Sequence, residues 1–133
     1  ARLPAMVVVI LRAFNPCGCL GHHHPPGTES RLARRLAADL NSAPAEIDLA
    51  WEAIRDWRPL PISSLAAGEM EGRSAALHFA AALLAVLLHE LEHLALPDKE
   101  ERQVRDGSNA FYSRAMRALI RREGGGGYGM SGA

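Results

Sequence analysis

Aromatic side chains are scarce in this chain, at 5% of its residues. A core must therefore be built mainly from Leu, Ala, Ile and Val, within an apolar share of 48% that is ordinary for a globular protein. Net charge is missing as well. Fifteen basic and fifteen acidic residues cancel, which gives no reason to expect nucleic acid or an acidic membrane as partner. Lysine is nearly absent: Lys99 stands alone among scattered arginines, a skew read as composition bias rather than function. Cysteine is limited to Cys17 and Cys19, one glycine apart. That pair is no disulfide framework, and a bridge between them would close a small, strained ring. Free thiols in a reducing, cytoplasmic setting are the expectation.

Long hydrophobic runs are lacking too. The run Leu77 to Leu88 is 12 residues, interrupted by His78, where a membrane span needs about 20. The opening ARLPAMVVVILRAF meets Pro-Cys-Gly-Cys rather than a small-residue cleavage site, so it does not read as a secretory signal. A soluble protein is expected. No phosphate loop, nucleophile elbow or dinucleotide fingerprint occurs, and Ser63 and Ser64 lack a catalytic partner pattern.

What is present suggests one α+β domain, predominantly helical, over residues 1–123, with a flexible Gly-rich tail at 124–133. Met6 to Phe14 is a β-branched apolar run that reads as a buried strand. Asn15 to Thr28 is dense in Gly and Pro and reads as a loop. Leu32, Leu36 and Leu40 predict an amphipathic helix over Glu29 to Leu40, with Thr28 as N-cap. Ala45 to Trp57 alternates like a strand at Ile47, Leu49 and Trp51. The spacing that persists to Ile54 and Trp57 favours helix. Pro59 and Pro61 exclude helix, leaving Leu60 to Leu65 as a short edge strand, and Gly68 and Gly72 mark a turn. Arg73 to Leu96 has no Gly or Pro and predicts a long helix that stops at Pro97. Asp98 then caps a second helix, Lys99 to Arg122, with Val104, Phe111, Ala115 and Leu119 on one stripe.

The chemistry is concentrated in His-Glu-Leu-Glu-His, residues 89–93. On a helix His89 and His93 lie about 40° apart and one turn along the axis, so both imidazoles reach one ion. Glu90 points to the side, within reach of a water on that ion, and Glu92 is rotated toward solvent. His78 shares the face, but it sits about 16 Å further along the helix and reads as a core histidine.

His89, Glu90 and His93, late in a long apolar helix, resemble the HExxH motif of the zincin metallopeptidases. The resemblance covers residues 80 to 105. It implies a zincin-like minimal domain with one or two short strands near the long helix. It also implies Zn²⁺ held by His89 and His93, with Glu90 as general base for peptide hydrolysis through a metal-bound water. The position six residues past His93 is Lys99, so the extended three-histidine pattern is not met. What remains resembles the gluzincin arrangement, in which a Glu from a later helix completes the site. Glu101 is the first candidate because it shares the stripe of Val104, Phe111 and Ala115. Glu100 and Asp106 are alternatives. The scale is similar to that of the small phage-repressor-cleaving metallopeptidases.

The expected partner is a peptide or protein substrate held along an edge strand, Met6 to Phe14 or Leu60 to Leu65, with a possible partner chain completing a shallow cleft. The competing class is a catalytically silent interaction or structural protein that keeps the fold, with or without metal. Cys17, Cys19 and His22 to His24 form a second polar cluster, read as a flexible loop with incidental metal affinity. A sharper reading is latency, with Cys17 or Cys19 taking the fourth zinc position. Trp51 and Trp57 read as core or groove packing.

Overall fold

A computed structural model describes residues 3–57 and 73–131. Among the described residues, three strands and four helices follow in the order β1 (Val7–Arg12), β2 (Gly21–His24), α1 (Arg31–Leu36), β3 (Ala45–Ala50), α2 (Trp51–Asp56), α3 (Arg73–Ala95) and α4 (Glu101–Ser131). The architecture is α+β. The sheet order is β1-β3-β2, with β1 parallel and β2 antiparallel to the central β3. The expected edge strand Leu60 to Leu65 and the turn at Gly68 and Gly72 lie outside the described residues.

The helix expected over Ala45 to Trp57 is instead strand β3 followed by the short helix α2. Both periodicities in that segment are real, and they belong to different halves. Every residue of β3 is buried. Ile47 and Leu49 join the core with Ala81, Ala82, Ala85 and Val86 of α3, while Glu46 and Asp48 point to the other face, as alternation requires. Ile54, one of the residues behind the helical reading, is fully buried in α2. Pairing on both sides of β3 decided the contest, since strand preference depends on neighbours more than on residue type.

Asn15 to Thr28 is not all loop, because Gly21–His24 forms β2. Its register pairs Gly21 with Leu49 and His23 with Ile47. The turn before it depends on Gly18, with φ 75°, and on Asn15, whose Nδ2 donates to the carbonyls of Cys19 and Asp48 at 3.1 and 3.2 Å. Cys17 and Cys19 are joined by a disulfide, contrary to the expected free thiols. The left-handed Gly18 between them permits a Cα separation of 5.3 Å, within the usual range for a bridge. The pair therefore gives no argument for a reducing compartment.

Helix α1 is shorter than its leucine spacing suggests and is capped by Ser30, not Thr28: the Ser30 side chain accepts from Ala33 N at 3.2 Å. Ala33 and Ala37 turn inward, and Leu32, Leu36 and Leu40 stay exposed. Helix α3 matches its predicted bounds to within one residue. By length and composition alone Ala75–Ala95 could cross a membrane, with mean hydropathy 1.5. It is more apolar than the interrupted twelve-residue run suggested, yet its face carrying Ala81, Ala82, Ala85 and Val86 packs within the protein core.

Past Pro97, α4 folds back along α3. His93 meets Glu101, His89 meets Ser108 and His78 meets Tyr112, an antiparallel pairing. The core residues of α4 are Val104, Tyr112 and Met116, flanked by Phe111, Ala115 and Leu119. His78 is buried, 2.7 Å from the Tyr112 hydroxyl, as a core histidine should be. Helix α4 continues to Ser131, through the glycines expected to begin a tail. Glycine costs a helix about 1 kcal/mol per residue, but it keeps its N–H and avoids the clash that lets proline interrupt the ladder.

Candidate metal centre

His89 and His93 lie one turn apart on α3, and the Leu96–Glu100 connection delivers Glu101, the first residue of α4, to the same point. His89 Nε2 is 3.2 Å from His93 Nε2 and 3.0 Å from Glu101 Oε1, and His93 Nε2 is 2.5 Å from Glu101 Oε2. Two ligand atoms on a tetrahedral zinc ion, at metal distances of about 2.0–2.1 Å, lie about 3.3 Å apart. Two of the three separations are close to that edge; the third is shorter, so Glu101 would move slightly away from His93 to admit an ion. The donor set, two imidazoles and one carboxylate, fits a divalent transition metal, Zn²⁺ or Fe²⁺. Glu101 is itself exposed rather than turned inward with its stripe, and it is position, not burial, that separates it from Glu100 and Asp106, which stand outside this group.

Around these donors the second layer is built from residues that the motif does not contain. Ser108 Oγ donates to the Arg105 carbonyl at 3.0 Å and lies 3.1 Å from His89 Nδ1. With its one proton so used, Ser108 accepts from Nδ1–H, which leaves the Nε2 lone pair of His89 facing the shared point. Arg105 approaches Glu101 Oε1 at 3.6 Å from one turn along α4.

Glu90 is buried and faces β2, with Oε1 2.8 Å from His23 Nδ1. The His23 ring also stacks on His93, centroids 5.1 Å apart. The hydrogen bond to the Glu90 carboxylate lifts the His23 pKa above its usual value, against the effect of partial burial. Strand and helix come this close because residue 21 is glycine: a Cβ there would lie 2.7 Å from Val86 Cγ1 and 2.8 Å from Glu90 Cγ. Glu92 does not simply face solvent, as it pairs with Lys99 across the connection.

These groups line a cavity of about 770 Å³ whose walls include His23, Trp57, His89, Glu90, His93 and Glu101. The volume is within the range of small-molecule and peptide side-chain sites. Trp57 is both cavity wall and packing partner, its ring 5.3 Å from that of Tyr112. No family model, curated protein or solved structure matches the chain. The functional reading therefore stands on geometry.

Motif reasoning missed Ser108 and His23. Ser108 is seven residues beyond Glu101, two helical turns along the same face, a spacing that could have revealed it. In sequence His23 is adjacent to His22 and His24; strand alternation in Gly-His-His-His separates it from both. The latency reading has no support here, since both sulfurs are committed to their bridge.

Proposed function

We propose that this domain is a zinc-dependent peptidase in which His89, His93 and Glu101 bind the ion and Glu90 is the general base. The observation that carries the reading is the convergence of three donors from two helices beside a buried carboxylate, in a cavity open to one strand. When bound, Zn²⁺ would supply a Lewis acid and lower the pKa of a coordinated water.

The chain's own residues do the rest. His23 donates Nδ1–H to Glu90 Oε1 and fixes the carboxylate, leaving Oε2 to accept a proton from water and pass it to the leaving amine nitrogen. β2 is an edge strand, and among the described residues no strand pairs with its second edge. A peptide in extended form can add there by backbone hydrogen bonds. β2, which borders the cavity, suits that task better than Met6 to Phe14.

One observation favours the silent alternative. His89, His93 and Glu101 lie within hydrogen-bonding distance of one another, so protons on the Nε2 atoms would hold the cluster together in place of a metal. The test is Glu90→Gln, with zinc content and peptide-library cleavage measured together. Retained zinc with cleavage lost supports the peptidase. Cleavage unchanged in Glu90→Gln removes Glu90 as base, and absence of zinc in the parent protein makes the cluster structural.

A further inference from the structure

The face of the sheet turned away from the cavity carries an arrangement that the peptidase reading does not use. Glu46 and Asp48 alternate with Ile47 and Leu49 on β3, so both project to that face. Glu46 is fully buried and Asp48 is 5% exposed. His24, which pairs with Glu46 in the strand register, reaches the same place, its Nε2 3.1 Å from Asp48 Oδ2. One donor atom from each of His24, Glu46 and Asp48 falls within 4.8 Å of the others.

Two buried carboxylates on one strand face are expensive unless charge and hydrogen bonds compensate them. The compensation is incomplete. Ser30 N–H donates to Glu46 Oε1 at 2.6 Å. Glu46 Oε2 and Asp48 Oδ1 are buried without a hydrogen-bond partner. The cation beside them is Arg12, at 3.6 Å from the first and 3.3 Å from the second, and its side chain is 36% exposed. One guanidinium stands against two carboxylates; burial, and then a hydrogen bond between Glu46 and Asp48, raise the Asp48 pKa, so a shared proton supplies part of the missing charge at the point where an ion would sit, with an imidazole alongside.

We propose that His24, Glu46 and Asp48 form a second metal site, one that takes a divalent transition-metal ion through one imidazole and two carboxylates. Oxygen-rich sets with a single imidazole suit harder ions than the two-histidine centre does, Mn²⁺ among them. The site is independent of the peptidase reading, since it shares no residue with the first centre and lies across the sheet from it. Arg12 competes with the ion for the same two oxygens, which gives the site a signature of its own.

The experiment is Mn²⁺ titration of the full chain, read as loss of the free-ion paramagnetic resonance signal. It is run on the parent and on His89→Ala, His24→Ala, Asp48→Asn and Arg12→Gln. One Mn²⁺ should remain bound in His89→Ala. His24→Ala and Asp48→Asn should weaken that site at least tenfold, with circular dichroism confirming their fold. Arg12→Gln should tighten it, because a competing cation is gone. Mn²⁺ binding lost in His89→Ala, or unaffected by both His24→Ala and Asp48→Asn, overturns the proposal. So does Arg12→Gln that loses stability and gains no affinity, which makes the cluster an ordinary buried ion-pair network. The His24, Asp48 and Arg12 outcomes leave the His89 and His93 centre untested, whereas Mn²⁺ binding lost in His89→Ala would place the ion there instead.

Discussion

The Nδ1–H of His89 is donated to Ser108 Oγ at 3.1 Å, and Ser108 in turn donates to a carbonyl of its own helix. Partners of this kind orient a metal-binding histidine, and their loss costs roughly 10- to 100-fold in metal affinity. On the proposed zinc site, Ser108→Ala should therefore weaken zinc binding by that factor in chelator competition while leaving the unfolding midpoint nearly unchanged. Equal zinc affinity in the two proteins would show that His89 is oriented by packing alone.

Gly21 sets the distance between β2 and α3. Gly21→Ala should destabilise the fold by about 1–3 kcal/mol, the usual cost of overpacking. Adding Val86→Ala should return part of that loss, because the two sites share one clash. Chemical denaturation of the single and double variants gives the coupling directly. An additive result would mean that the strand moves freely off the helix.

His23 gives the metal-free protein a pH signature. Its pKa is raised above the ordinary 6.5, chiefly by the hydrogen bond to Glu90. The folded state then holds the proton more tightly than the unfolded one, so the contribution is fully present below about 6.5 and fades as pH rises through the folded value. In the presence of a chelator, His23→Gln should lower the melting temperature more at pH 5.5 than at pH 9. Parallel melting curves across that range would remove the His23–Glu90 pair as a source of stability.

His78 and Tyr112 meet at 2.7 Å inside the α3–α4 interface. Tyr112→Phe keeps the ring that packs on Trp57 and removes the hydroxyl. A loss of about 1 kcal/mol in unfolding free energy is expected, the net worth of a typical internal hydrogen bond. Unchanged stability would mean that water or another group takes the hydroxyl's place.

The parts of this fold that could be read from sequence are those set locally. Arg73 to Leu96 has helical composition, no internal breaker and a proline just past its end, and α3 follows it closely. The placing of Glu101 beside His89 and His93 was legible because a short connection forces two helices to run antiparallel. What could not be read is set by long-range pairing. Ala45 to Ala50 is a strand because β1 and β2 flank it, and a single sequence does not display those partners. Gly21 to His24 has poor strand propensity and is held by its pairing to β3. Ser108 and His23 became visible only once helix and strand were set around the histidines.

The missing side chain at Gly21 also bears on how the strand finds its place. A slip of β2 by one residue would turn every side chain to the opposite face. It would also bring Leu20 or His22 against Val86 and Glu90, where even a methyl group does not fit. The narrow gap thus acts as a keyway that accepts one alignment of a short, weakly encoded strand. In that alignment His23 is delivered to one side of the sheet and His24 to the other, so a single steric check sets the chemistry of both faces.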